Sequence, residues 1–269
     1  MSAMAQQFLR YLRLLGVQVR ASVLLALQYR GDFLVDGPLS LLWAVTAVSP
    51  LLVVYRDRAV VAGWSFGEAL FVTGWFLLLT AVVEGTINPS LTAVVDHVRK
   101  GTLDFVLMKP ADAQFLVSTA KFEPWKMNHV FTSMGIFTWG FVTLGRGPTA
   151  LGLLQALLLL GTATVLLYSL WILTVSAAFY VVKVDNLTYL FSSVFDAARW
   201  PSSFFPGTLR FVFTAIIPLA VLTTFPAEAM LGRLQGVHLA GAMAAAAAFS
   251  VLARAAWKRS LSQYTSASS

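Results

Sequence analysis

The chain contains no cysteine among its 269 residues, so disulfide staples, thiol nucleophiles and cysteine-based metal sites are excluded together. Charge is scarce as well. Asp, Glu, Lys and Arg make up 12% of the residues, against about 25% in an ordinary soluble domain. No Gly-x-x-x-x-Gly-Lys-Ser/Thr loop occurs, so nothing here would cradle a nucleotide phosphate. No intramembrane Ser/His pair of the kind a serine hydrolase needs emerges either. The three histidines, His97, His129 and His238, share no ligand spacing, and no metal site is expected from them.

What fills the sequence instead is apolar. Hydrophobic residues reach 58%, the mean hydropathy is +0.76, and twenty phenylalanines and eight tryptophans are present. Lipid suits this composition, because a spanning helix needs roughly 20 mostly apolar residues. Six such runs are expected, at 33–55, 66–87, 128–144, 150–182, 210–225 and 237–257. Arg56, Asp57 and Arg58 close the first, and Pro218 is expected to kink the fifth. The predicted class is an all-α, polytopic membrane protein with a single domain over 1–269. The formal charge of +7 is spread between apolar runs rather than gathered in one stripe, which argues for membrane topology and against nucleic acid. Fifteen of the nineteen Lys and Arg fall on the side that holds both termini, including Arg199 and Arg210. The excess places both ends in the cytosol, in an inner, cytoplasmic membrane.

The first residues are not a cleavable signal, because Arg10, Arg13 and Arg20 interrupt them. At 100° per residue, Phe8, Leu12, Leu15, Val19, Val23 and Ala26 share one sector while the three arginines lie opposite. That pattern describes a helix over 5–31 lying in the membrane surface and meeting anionic lipid. A soluble helix packed on a partner is the alternative.

The longest polar excursion is the connection 88–127 between the second and third runs. Gly101 suits a helix stop, Thr102 an N-cap, Asp104 the first turn of a following helix, and Pro110 an end. Leu103, Val106 and Leu107 share an apolar face beside the charged cluster Asp96, His97, Arg99 and Lys100. Such a surface can dock on a protein, or it can be a solvated loop whose cations enforce topology.

The string Arg99-Lys100-Gly101-Thr102-Leu103-Asp104, with Leu107 and Pro110 after it, resembles the signature of ABC-2 type permeases between their second and third spans. Near the fifth run, Ala198-Arg199-Trp200-Pro201, Phe205-Pro206, Leu209-Arg210 and Ile217-Pro218-Leu219-Ala220 resemble the viologen or multidrug exporter branch of that superfamily. The resemblance implies a transport subunit that is not itself an enzyme. Two permeases, copies or related chains, would form a path at their interface, and two separate ABC ATPase subunits would bind MgATP below them. It makes the connection a coupling helix, with Asp96, His97, Arg99, Lys100, Gly101, Thr102, Leu103 and Asp104 as ATPase contacts. The cargo it implies is hydrophobic or amphipathic and is exported. Glu84, the ionisable residue most clearly inside an apolar run, is a candidate for the pathway or for reaching the headgroups. Pro201, Pro206 and Pro218 are gate candidates, since irregular backbone at membrane depth must be buried or face water. The pairs Trp75 with Phe76, Phe137 with Trp139, and Tyr168 with Trp171 would line a pocket or pack against lipid. The rival readings are a stand-alone secondary transporter, which needs midplane acids or internal repeats, and a membrane enzyme acting on lipid.

Overall fold

A computed structural model describes residues 3–28, 30–180 and 185–264. Tyr29, within the expected surface helix, and Val182 and Lys183, at the end of the fourth run, lie outside the described residues. The described chain is helical apart from turns and one small hairpin, as an apolar backbone that must satisfy its own hydrogen bonds requires. Helices α1 (Ala3–Gln28) and α2 (Arg30–Val54) come first. The hairpin then pairs β1 (Val60–Val61) with β2 (Trp64–Ser65), Val61 opposite Trp64. Ala62 and Gly63 both have positive φ, as the tightest right-twisting hairpin turn needs.

The centre of the fold is α3, which runs without a break from Phe66 to Arg99. It starts where Glu68 reaches back to accept a hydrogen bond from the Ser65 N–H at 2.9 Å. Pro89 should interrupt it, because proline lacks an N–H and crowds the carbonyl four residues back. The helix passes it with a π turn over Val83–Ile87. The freed Gly85 carbonyl accepts instead from the Glu123 N–H at 2.8 Å. At 1.5 Å per residue α3 is about 51 Å long, against a hydrocarbon layer of about 30 Å. The second apolar run and the first part of the polar connection are therefore one rod.

After α3 come the single turn α4 (Asp104–Leu107), α5 (Ala113–Ser118), a 3-10 turn over Pro124–Met127, α6 (Asn128–Leu144) and α7 (Ala150–Ala177). Helix α6 lies close against α3. A Cβ on Gly74 would stand 2.5 Å from the Phe137 ring, and one on Gly140 would stand 2.8 Å from Phe71. Helix α8 (Asp185–Asp196), 3-10 turns at Ala197–Arg199 and Ser202–Phe204, α9 (Gly207–Ile216), α10 (Leu219–Met230) and α11 (Gly236–Ser262) complete the chain. Phe71, Leu79, Leu91, Leu159, Leu166, Ile172 and Trp257 are among the fully buried side chains of the core. By contrast α2, α7 and α11 leave most of their apolar surface uncovered.

The path after α7 departs from the sequence expectation. Phe191 of α8 packs edge-on to Trp171 of α7 at 4.3 Å, Phe195 meets Phe76 of α3 at 5.1 Å, and Ser203 donates to the Ala62 carbonyl of the hairpin at 3.1 Å. Residues 185–204 thus climb along α3 to its hairpin end. From there α9 and α10, bent by 65° at Pro218, leave and return. The Ala229 carbonyl lies against Gly152, and Arg233 pairs with Glu68 at 3.2 Å. The expected run at 210–225 is therefore a bent pair whose two ends share the hairpin end of the molecule. Arg199 is likewise relocated. Its guanidinium rests 5.1 Å from the Phe76 ring centre, ten residues into α3 or about 15 Å from the hairpin end.

Candidate functional site

Two groupings bring the candidate residues together, one at each level of α3. The first is its far end. Asp96, Arg99 and Lys100 are exposed there, and His97, Gly101, Thr102 and Asp104 are half-buried. Gly101 has φ +65°, and the helix closes with the paired bonds of a Schellman stop, Thr102 N–H to the His97 carbonyl at 2.9 Å and Gly101 N–H to the Val98 carbonyl at 3.3 Å. Thr102 does not cap the next helix. Its hydroxyl is engaged 2.8 Å from His97 Nδ1, and the residue ahead of α4 is Leu103. Leu103 is itself fully buried, so it anchors the segment in the core instead of offering a contact. The apolar surface that stands out is Phe105 (66% exposed), Leu107 and Met108 (72% exposed). The exposed apolar surface of this segment is thus shifted from the face that periodicity alone predicts, because Leu103 is drawn into the core.

The second grouping lies where the π turn of α3 faces α2, α6 and α8. A cavity of about 290 Å³ opens there between the aromatic walls Trp43, Phe76, Trp171, Phe191 and Phe195. Glu84, Asn88, His129, Asp196 and Arg199 supply its polar lining. Glu84 Oε2 stands 3.9 Å from both Lys126 Nζ and His129 Nε2, and Lys126 donates to Asp36 at 3.1 Å. Burial works against the charge on Lys126, but the hydrogen bond and charge of Asp36, with the nearby Glu84, hold its pKa above the ordinary lysine value. His129 keeps only 6% of its side chain exposed, and its Nδ1 has no hydrogen-bond partner among the described residues. The far half of the cavity is a tight pair, with Arg199 Nη2 on Asp196 Oδ1 at 3.0 Å.

Glu84 was legible as an acid within an apolar run. Its neighbours were not, since Asp36, Lys126 and His129 lie more than 40 residues away on either side. The aromatic pairs divide. Phe76 and Trp171 line the cavity, Trp75 packs on Phe137 in the core at 5.5 Å, and Tyr168 serves a hydrogen-bond network considered below. Pro201 and Pro218 are buried, while Pro206 is exposed at the start of α9. The backbone around Pro201 is tied to α10, for Ser202 N–H donates to Thr224 Oγ1 at 3.1 Å and Thr223 Oγ1 donates to the Ala198 carbonyl at 2.6 Å.

The match that gives this geometry a context is a family model described as ABC-2 family transporter protein, which covers residues 41–268. The chain belongs to that family. Comparison with curated proteins and with solved structures returned no significant match. Apart from Asp36, both groupings fall inside the matched residues, so the rod and the cavity are features of an ABC-2 transporter chain. Such a chain is the multi-pass, membrane-embedded transport subunit of an ABC transporter, which works in association with an ABC ATPase. Helix α1 lies before the matched stretch.

Proposed function

We propose that this chain is the permease subunit of an ATP-driven exporter of a hydrophobic or amphipathic compound, of the viologen or multidrug type, in the cytoplasmic membrane. The observation that carries the reading is α3, a single rod that holds Glu84 at the cavity and presents Asp96, Arg99 and Lys100 at its tip. ATPases closing around MgATP must do work on the membrane part, and a rigid helix continuous with a span is a suitable lever. Glu84 lies 18 residues from Phe66, about 27 Å along the helix, near the far edge of a 30 Å hydrocarbon layer. About 20 Å of α3 then projects into the cytosol.

In this reading the chain crosses six times, at α2, α3, α6, α7, residues 185–204 and α11, and both ends are cytosolic. The α9–α10 pair re-enters from the outer side. Thirteen Lys and Arg then lie on the cytosolic side against five outside, with Arg199 at membrane depth, in keeping with the positive-inside rule. Helix α1 lies in the inner interface, with Phe8, Leu12, Val19 and Val23 exposed toward lipid. Glu84 belongs to the path, and Pro201, Pro206 and Pro218 to the gate at its outer end. A second copy or related chain completes the path, two ATPases dock below, and MgATP resides on them.

Copurification in mild detergent from the native host, followed by mass spectrometry, tests this. Wild type is expected to retain an ABC ATPase, and Arg99→Glu combined with Asp104→Lys to lose it. Wild type that retains no ATPase in several detergents would overturn the exporter reading in favour of a stand-alone transporter.

A further inference from the structure

The connection after α4 holds a third polar assembly, distinct from the docking tip and from the cavity. Asp112 is its hub. Its Oδ1 caps α5 by accepting from the Phe115 N–H at 3.0 Å, and its own N–H donates to the Tyr11 hydroxyl of α1 at 3.0 Å. The same carboxylate receives the fork of Arg254 from α11, Nη1 on Oδ1 at 3.2 Å and Nη2 on Oδ2 at 2.5 Å. Arg254 Nη1 also donates to Gln114 Oε1 at 2.6 Å, Gln114 Nε2 donates to the Tyr168 hydroxyl of α7 at 3.0 Å, and that hydroxyl lies 2.8 Å from Ser118 Oγ. Helices α1, α5 and α11 therefore meet at one carboxylate and one guanidinium, and Gln114 and Ser118 of α5 carry the network on to Tyr168 of α7.

Three features make this more than a surface ion pair. Two-point guanidinium–carboxylate geometry fixes orientation as well as distance, which a single ammonium contact does not. The link to the docking turn is short and stiff: α4 ends at Leu107, Pro110 restricts the backbone, and Asp112 follows. Helices α7 and α11 are joined to each other at two further levels, Ser169 to Ser250 at 3.2 Å and Ser260 to the Ser176 carbonyl at 3.1 Å. Whatever displaces Arg254 displaces the two helices together.

We propose that the Asp112–Arg254 fork is the joint through which movement of the docking segment reaches α7 and α11, with Asp112 and Arg254 as positioning residues. The proposal rests on the exporter reading. While α3 carries the stroke on one side of the fold, the fork carries it to the other. Without the fork, ATP would still be bound and hydrolysed but α11 would no longer follow.

The absence of native cysteine permits a direct test on the copurified permease–ATPase complex in lipid nanodiscs. Val237→Cys marks the exposed hairpin end of α11, and its rate of maleimide labelling is compared with and without MgATP. Two variants are added to that background: Arg254→Gln, and Asp112→Asn, which keeps an N-cap side chain while removing the charge. The expected result is unchanged ATPase capture and hydrolysis in both, with the ATP-dependent change in labelling reduced by about fivefold or more, the lower bound of ordinary coupling between sites. Variants that respond to ATP like the parent overturn the joint alone, as does a parent in which ATP changes nothing at Val237. Failure of the parent to capture an ATPase overturns the exporter reading and the joint with it.

Discussion

Residues 66–99 and 185–230 invite comparison because both are apolar stretches interrupted by proline, and they respond in opposite ways. In α3 the carbonyl that Pro89 deprives of its donor finds another in the Glu123 N–H, a π turn absorbs the misfit, and the rod continues. At Pro218 the preceding residue is forced out of the helical region. Ile217 sits at φ −113° and ψ 91°, and the axis turns by 65°. Proline alone does not decide between a rod and a bend. The decision falls to whether the surrounding fold supplies a partner for the freed carbonyl and room for the extra residue of a π turn. The first outcome is a rod of 34 residues, the second a bend of 65°.

The sharpest way to break this contrast is through packing. A Cβ on Gly74 meets the buried Phe137 ring at 2.5 Å, whereas one on Gly207, at the start of α9, meets nothing within 4 Å. Gly74→Val is expected to lower stability by about 1–3 kcal/mol or more, as overpacking of a filled seam does. Gly207→Ala should stay within about 0.5 kcal/mol of wild type. Thermal unfolding of both variants in one detergent measures the difference, and equal midpoints would remove α3 from the centre of the fold.

A second test acts on the prolines themselves. Pro218→Ala releases Ile217 from its extended conformation and restores an N–H, so the α9–α10 angle is expected to open. Phe211 lies about 8 Å along the helix from the break, and straightening by half of the 65° would move it about 4 Å. Spin labels at Phe211→Cys and Val237→Cys, both exposed in the parent, read that displacement. Pro89→Ala should leave α3 in place, because the Gly85 carbonyl is already bonded. Identical label distances in Pro218→Ala and its parent would show that the bend is set elsewhere.

How far the sequence carried these two regions follows from the same physics. The runs at 66–87, 128–144 and 237–257 were legible because a long apolar run marks a long apolar helix directly: α6 coincides with the second, α11 contains the third, and α3 contains the first and continues to Arg99. Hydropathy was silent where a polar stretch packs along α3. Asp196, Arg199 and Pro201 made 185–204 read as a loop, although Arg199 is compensated by Asp196 and the Phe76 ring. The more apolar 210–225 read as one kinked run, and it is a pair of helices bent by 65°. At the far end of α3, the stop at Gly101 was legible from its chemistry, but the burial of Leu103 depends on tertiary contacts that no local pattern encodes. The neighbours of Glu84 were hidden for a similar reason, since α2 and α6 approach the π turn only in three dimensions.

The smallest expected difference between the regions concerns acid. Ser202, Ser203 and the Ala198 carbonyl are tied to their surroundings by neutral hydroxyl and backbone bonds, which have no proton to gain between pH 7 and pH 3. The connection that follows α3 is tied by Asp112, whose carboxyl the hydrogen bond from Arg254 holds below its ordinary value of 3.8, against a smaller opposing effect of burial. A carboxyl lowered in the folded state contributes stability that is fully present above the unfolded value and is lost as pH falls through the folded one. The fork is therefore intact at neutral pH and gives way only below about pH 4. Its partners are a third or more exposed, so solvent screening limits the effect to under about 1 kcal/mol. Melting curves from pH 6 to pH 3 should show wild type losing its advantage over Asp112→Asn toward the acid end. A constant gap between the two across that range would mean that Asp112 stabilises the fold through its cap on α5 and not through its charge.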